Sequence, residues 1–222
     1  MNYKIIIPVY NEEKYLKRFL DTFDLESLKR VLVINDGSND KTAEIINKYP
    51  EIEVITNQKN LGKGESMKIA TEKAIKDGSD IVLFMDGDLQ HKAKDINRFL
   101  SVFQENKDID IVFGARKIGK NMRLVKFIGN KTLTVIINIL FRYFLNDTQC
   151  GFRGFRSKVF NKIKWNSKDY SVETEMVINS AINNIPYKEV EIETIYMDHK
   201  KGTKIRDGIK ILFKILFWRI IK

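Results

Sequence analysis

Cysteine is nearly absent: Cys150 stands alone, so the chain can close no internal disulfide. Two histidines beside one cysteine leave no material for a Cys/His zinc site, and any metal would have to be held by oxygen ligands. Proline (3 residues) and glycine (12 residues) are scarce, which excludes fibrous and linker-dominated architectures. Long apolar runs are lacking as well. A membrane-spanning helix needs about 20 apolar residues, whereas Leu133–Leu145 is interrupted by Arg142 and Ile209–Ile221 by Lys210, Lys214 and Arg219. Met1–Lys4 leads directly into a short apolar stretch, so a signal peptide is not expected either. Together these lacks lead to the expectation of an intracellular protein that does not cross a bilayer.

What is present is a core and a charge. Hydrophobic residues make up 43% of the 222 and charged residues 31%, enough for one full domain and not for a disordered chain. The formal charge of +10 is concentrated. Residues 114–131 hold six Lys/Arg and no acid, and residues 197–222 hold eight Lys/Arg against Asp198 and Asp207, leaving the remainder slightly acidic. Such patches suit nucleic acid, an anionic membrane or a phosphorylated ligand, and charge alone does not choose among them.

The first 113 residues alternate β-rich runs (4–9, 30–34, 53–55, 81–85, 109–113) with amphipathic helical stretches (12–23, 41–48, 63–76, 92–105). Continuous apolar strands separated by helices predict an α/β fold with a parallel sheet covered on both faces. In such sheets ligands bind beyond the carboxyl ends of the strands. Three of those ends carry polar clusters: Pro8–Val9–Tyr10–Asn11–Glu12, Asn35–Asp36–Gly37–Ser38 and Asp86–Gly87–Asp88–Leu89–Gln90–His91. Each alone is ordinary turn chemistry; their convergence on one edge points to a site. Alternate residues of an extended segment point the same way. Asp86 and Asp88 would thus form a carboxylate pair for Mg²⁺ or Mn²⁺, with Gln90 able to add a carbonyl oxygen, the alternative being a solvated turn. Asn60–Leu61–Gly62–Lys63–Gly64 precedes a helix and matches no full phosphate-loop pattern, though glycines and a lysine at a helix start could approach phosphates.

Taken together these segments resemble the family 2 glycosyltransferases with a GT-A fold, over roughly the first 115 residues. Asp147–Thr148–Gln149–Cys150–Gly151–Phe152–Arg153–Gly154–Phe155, Gly114–Ala115–Arg116–Lys117 and Glu173–Thr174–Glu175 look like the polyprenyl-phosphate sugar synthases within that group, including dolichyl-phosphate glucose and mannose enzymes. The resemblance implies a Rossmann-like, mixed and mainly parallel sheet flanked by helices. Residues 1–200 would form the transferase domain, divided into a nucleotide-sugar half (1–115) and an acceptor half (116–200). It implies a UDP- or GDP-sugar donor, a divalent cation, a polyprenyl phosphate acceptor and inversion. By analogy Pro8, Tyr10, Glu12 and Asp36 would hold base and ribose, with Gly62 and Lys63 near the phosphates. Asp86, Asp88 and Gln90 would hold metal and diphosphate.

The acceptor decides whether a base is needed. A hydroxyl must lose its proton to a positioned carboxylate, for which Asp147, Glu173 and Glu175 are the candidates, salt bridging being the alternative. A phosphate monoester with a second pKa of about 6 is already dianionic and can attack unaided. Arg116, Arg123, Lys126 and Arg153 are the candidates for holding it, arginine being suited to bidentate phosphate contacts. Residues 201–222 read as a basic amphipathic helix: Arg206, Lys210 and Lys214 share one side, and Ile209, Phe213, Phe217 and Trp218 lie on others. That suits an anionic membrane surface, on the cytoplasmic face, with a core-packed helix as the alternative. Residues 124–145 could form a second membrane-contacting element. Cys150 reads as a buried small residue, and His91 and His199 as possible neighbours of the metal and diphosphate. Transfer to a hydroxyl on a glycan or lipid, a nucleic-acid-binding module and a silent scaffold remain as alternatives.

Overall fold

The computed structural model describes residues 1–117, 124–193 and 205–221, together with the side chains in those stretches except at 124–126 and 205. In chain order they form β1 (Tyr3–Val9), α1 (Leu16–Leu20), α2 (Leu25–Leu28), β2 (Val31–Asn35), α3 (Thr42–Ile46), β3 (Glu53–Thr56), α4 (Lys63–Lys76), β4 (Ile81–Phe84), α5 (Ile96–Glu105), β5 (Ile111–Arg116), α6 (Leu124–Phe141), β6 (Arg153–Arg156), α7 (Phe160–Ile163), α8 (Val172–Ile182), β7 (Tyr187–Ile192) and α9 (Ile205–Ile221).

The seven strands make one sheet in the order β3-β2-β1-β4-β6-β5-β7. β3, β2, β1 and β4 run parallel, as their continuous apolar runs predict, and β5 runs parallel to β7. β6 enters between β4 and β5, antiparallel to both, with Val82 facing Phe155 and Val112 facing Gly154. The mixed sheet flanked by helices is thus the expected α/β fold.

Because strand side chains alternate, the apolar runs feed two cores. Ile6, Leu32, Ile34, Val82 and Phe84 pack on one face beneath α4, whose Met67, Ala70 and Ala74 lie at helical spacing, and beneath α8. Ile5, Ile7, Val33, Ile81 and Leu83 pack on the other face against Leu16 and Phe19 of α1 and Phe99 and Phe103 of α5. The terminal helix belongs to the first of these layers. Ile211, Ile215 and Trp218 of α9 are buried in the same core as Ile6 and Leu32, and α9 packs on α6 and α8. One side of α9 is therefore a core surface, while Ile209, Phe213, Phe217 and Ile220 on its other sides are exposed.

Candidate active site

The polar ends of β1, β2 and β4 lie side by side, and hydrogen bonds stitch them together. The amide of Asp36 donates to the Val9 carbonyl at 2.9 Å. The amides of Asn11 and Glu12 donate to Ser38 Oγ (3.0 Å) and Thr42 Oγ1 (2.8 Å). Asp36 is buried, and its carboxylate reaches across to the next loop: Oδ1 accepts from the Leu61 amide (2.8 Å) and Asn57 Nδ2 (2.9 Å), and Oδ2 from the Gly62 amide (2.9 Å). Asp36 thus fixes the loop that starts α4.

The glycines of that loop are there for close approach of protein. The Gly64 amide donates to the Lys168 carbonyl at 2.9 Å, and Trp165 Nε1 donates to the Gly64 carbonyl at 2.7 Å. A β-carbon at Gly64 would lie 2.0 Å from the Ser167 carbonyl oxygen, and one at Gly62 (φ +93°) 2.3 Å from that of Lys168. The helix start is therefore covered by the 165–171 segment, and the Gly64 amide is engaged there. This contact is what brings Lys168, Asp169, Tyr170 and Glu173 to the site; of these only Glu173 carries a local sequence signal.

At the centre Lys63 links two carboxylates, with Nζ 2.6 Å from Asp86 Oδ1 and 2.5 Å from Glu173 Oε1. Burial alone would lower the ammonium, but the charges of Asp86 and Glu173 outweigh it and hold Lys63 above its ordinary value. Burial likewise pushes the Asp86 carboxyl up, and Lys63 and His91 together bring it well below the usual range. His91 is buried, with Nε2 3.6 Å from Asp86 Oδ2. Asp88 behaves differently: burial, and then the charge of Asp86, push its carboxyl up. Its neighbour Gln90 donates to it through the backbone amide (3.1 Å) and Nε2 (2.5 Å).

Two carboxylates, one destabilised by the other, suit a hard cation. No group of three or more His, Cys, Asp or Glu among the described residues is placed to hold a metal alone. Asp86 and Asp88 both line the cleft, and carboxylate oxygens are the donor type that Mg²⁺ or Mn²⁺ takes together with substrate oxygens, so these two residues would hold such an ion.

A cleft of about 740 Å³ collects Pro8, Tyr10, Glu12, Asp36, Gly62, Lys63, Asp86, Asp88, Gln90 and Arg116, along with His91, Gln149, Gly151 and Tyr170. Arg116 also lines a second cavity of about 510 Å³ with Lys117, Phe127, Lys131 and Asp147. There the guanidinium meets the Asp147 carboxylate two-pronged, Nε to Oδ2 at 2.5 Å and Nη2 to Oδ1 at 2.9 Å. Burial pushes Asp147 up, and the Arg116 charge and hydrogen bonds more than offset it, leaving the carboxyl below its ordinary value.

Two residues expected at the site lie elsewhere. Arg153, on β6, is 1% exposed and does not line the cleft. Its guanidinium donates to the backbone carbonyls of Cys150, Thr148 and Glu173. It tethers the 148–151 loop to α8, so a phosphate contact from Arg153 is not what the geometry offers. Glu175 is also buried, and its Oε2 accepts from the amides of Asn166 (3.1 Å) and Ser167 (2.8 Å) and from Ser167 Oγ (2.6 Å). It anchors the segment over Gly64. Arg123, His199 and the side chain of Lys126 lie outside the described residues. Cys150 is buried, and burial and then the charge of Asp147 push its thiol up to about 12.

This mixed, mainly parallel seven-stranded sheet flanked by helices, with a polar cleft at the carboxyl ends of its parallel strands, is that of a GT-A fold. The structure aligns with glucosyl-3-phosphoglycerate synthase from Mycobacterium tuberculosis, solved with Mg²⁺ and uridine diphosphate, at a TM-score of 0.77 and 14% identity, covering 98% of this chain and 79% of that one. The model of glycosyl transferase family 2 matches residues 4–164, and the chain belongs to that family. It is a glycosyltransferase. Among relatives, MJ1222 of Methanocaldococcus jannaschii, itself uncharacterised, is 35% identical over 97% of this chain and 91% of its own length. UDP-N-acetylglucosamine–dolichyl-phosphate N-acetylglucosaminyltransferase of Methanococcus voltae is 29% identical over 98% of this chain and 96% of its own.

Proposed function

We propose that this glycosyltransferase moves a sugar from a UDP- or GDP-sugar to a polyprenyl phosphate at a membrane surface, with inversion at the anomeric carbon. One observation carries the choice of acceptor: the three carboxylates that the sequence offers as base candidates, Asp147, Glu173 and Glu175, are each engaged. Asp147 is paired with Arg116, Glu173 with Lys63, and Glu175 with the Ser167 backbone and hydroxyl. A hydroxyl acceptor needs a base; a phosphate dianion does not. The relative from Methanococcus voltae, named for a dolichyl-phosphate acceptor, supports the same reading.

In this scheme Pro8, Tyr10 and Glu12 line the nucleoside end of the cleft and Asp36 holds the loop that closes it. A divalent ion, when bound by Asp86 and Asp88 beside Gln90, supplies charge neutralisation on the departing diphosphate. Arg116 lines both cavities, and Asp147 fixes the plane of the guanidinium that in this scheme holds the incoming phosphate. Lys117, paired with Glu191 at 2.5 Å, and Lys131 line the second cavity together with Glu189, and Arg123 and Lys126 lie between them in the same basic stretch of sequence. The basic segments then serve lipid phosphate and an anionic surface rather than nucleic acid.

No helix among the described residues is long and apolar enough to cross a membrane. α6 and α9 nevertheless pack together and expose Ile139, Phe213 (67%) and Ile220 (84%). Apolar side chains with Lys210 and Arg219 beside them support interfacial docking on the cytoplasmic leaflet.

The test is an acceptor panel with each donor: a short-chain polyprenyl phosphate, the matching prenol, and free sugars, with the product's anomeric configuration read by NMR. Transfer to the phosphate alone, with configuration inverted relative to the donor, is the expected outcome. Transfer to prenol or sugars but not to phosphate would overturn it.

A further inference from the structure

We infer that Lys63 is an internal counter-cation that competes with the divalent ion for Asp86, so that metal and nucleoside diphosphate bind cooperatively rather than independently. This rests on the reading that Asp86 and Asp88 hold the donor's metal, and it adds what the protein does before the donor arrives.

The argument begins with where Lys63 stands. It is the first residue of α4, and a helix N-terminus already carries partial positive charge, so a cation there is disfavoured unless anions hold it. Two anions do, Asp86 at 2.6 Å and Glu173 at 2.5 Å, and the ring of Tyr170 lies 5.9 Å from the ammonium. The ammonium is enclosed: its side chain is 16% exposed and that of Glu173 is 7% exposed.

The other carboxylate oxygen of Asp86 is close to Gly151 and His91. Gly151 packs so closely that a β-carbon there would lie 2.1 Å from Oδ2, and His91 Nε2 stands 3.6 Å from the same oxygen. Oδ1 is the oxygen on Lys63. A divalent ion bonds carboxylate oxygen at about 2.0–2.1 Å, and on reaching Asp86 it meets an ammonium already on that carboxylate. Repulsion between the two cations weakens metal binding to the empty cleft.

A nucleoside diphosphate reverses the balance. Its oxygens give the ion further ligands and give Lys63 a second anion beside Glu173, so the ammonium moves off Asp86 towards phosphate. The energetic coupling is reciprocal: the diphosphate strengthens metal binding by the same factor as the metal strengthens diphosphate binding. Lys63 is a positioning residue in this account, and the cleft does not hold a loosely bound metal between turnovers.

The experiment is a Mn²⁺ titration followed by electron paramagnetic resonance of the free ion, with and without UDP and GDP, on the full chain. Wild type should bind Mn²⁺ weakly alone and at least about tenfold more tightly with the matching nucleotide. Lys63→Met should bind Mn²⁺ alone about tenfold more tightly than wild type, with a smaller gain on adding nucleotide. Glu173→Gln, which leaves Lys63 on Asp86 alone, should weaken Mn²⁺ binding in the empty cleft and so serves if Lys63→Met fails to fold. Asp88→Asn separates the two levels of the argument. If it abolishes Mn²⁺ binding while Lys63→Met and Glu173→Gln leave the metal affinity and the nucleotide gain at wild-type values, competition by Lys63 is overturned and the metal site stands. If Asp88→Asn leaves Mn²⁺ binding unchanged, the ion is not at this site, and the inference falls with the reading beneath it.

Discussion

Arg116 and Asp147 face each other as a two-pronged ion pair, at 2.5 and 2.9 Å, on the wall between the two cavities. A base would have to give up that pairing to accept a proton, and Asp147 is held below its ordinary carboxyl range by it. Asp147→Asn keeps the shape and removes the charge that orients Arg116. The expected result is a roughly 10- to 100-fold fall in kcat/KM, seen mainly in the KM for polyprenyl phosphate. Arg116→Lys should behave similarly, since an ammonium cannot reproduce the two-pronged contact. Loss of a base would instead appear in kcat with an unchanged acceptor KM.

The same pair sets an acid limit on stability. Because the folded Asp147 carboxyl lies below its unfolded value of about 3.9, its contribution is fully present above that pH. It is lost as pH falls from there through the lowered folded value. Urea midpoints of wild type and Asp147→Asn should therefore differ at pH 7 and converge below pH 4; a difference that persists unchanged in acid would refute the ion pair as its source.

Gly64 gives a steric test of the segment that covers α4. An alanine there places a β-carbon 2.0 Å from the Ser167 carbonyl oxygen, a backbone atom that cannot step aside cheaply. Gly64→Ala should lose about 1–3 kcal/mol of stability and raise the donor KM, because Lys168 and Tyr170 are displaced with the segment. Gly129→Ala in α6 meets nothing within 4 Å and should be neutral or stabilising by up to about 1 kcal/mol. Thermal unfolding of the two variants checks the contrast.

Much of this arrangement was legible in the sequence. The helix over 63–76 has the bounds its periodicity predicts, and the three polar strand ends meet because parallel strands must share a carboxyl edge. β6 was not legible. Its arginines lie inside the sheet, where Arg153 and Arg156 find backbone carbonyls as partners, so the segment shows no apolar strand pattern. The roles of Asp147 and Glu175 were hidden for a related reason: composition shows that a carboxylate is present, whereas its direction depends on Arg116 and Ser167, distant in sequence or carried by another loop. The Gly62–Gly64 spacing did mark a close approach, but the partner is the 167–168 backbone.

α9 separates packing from docking. Ile215 is fully buried between α9 and the sheet-facing helices, whereas Phe213 and Phe217 are exposed. Ile215→Ala should cost about 2–5 kcal/mol in urea unfolding. The double variant Phe213→Ser, Phe217→Ser should fold as wild type yet sediment less with vesicles containing anionic lipid, with activity on a short, soluble acceptor retained. Equal vesicle binding by the double variant and wild type would show that this face does not meet the membrane.

The most direct measurement of the central claim is transfer from radiolabelled UDP- and GDP-sugars to a short polyprenyl phosphate, with Mg²⁺ or Mn²⁺ and then with chelator, for wild type and Asp88→Ala. The account predicts a prenyl-phosphate sugar formed by wild type with one class of donor, lost on chelation and lost in Asp88→Ala. Product formation that survives both chelation and the loss of Asp88, or label passing only to hydroxyl acceptors, would contradict it.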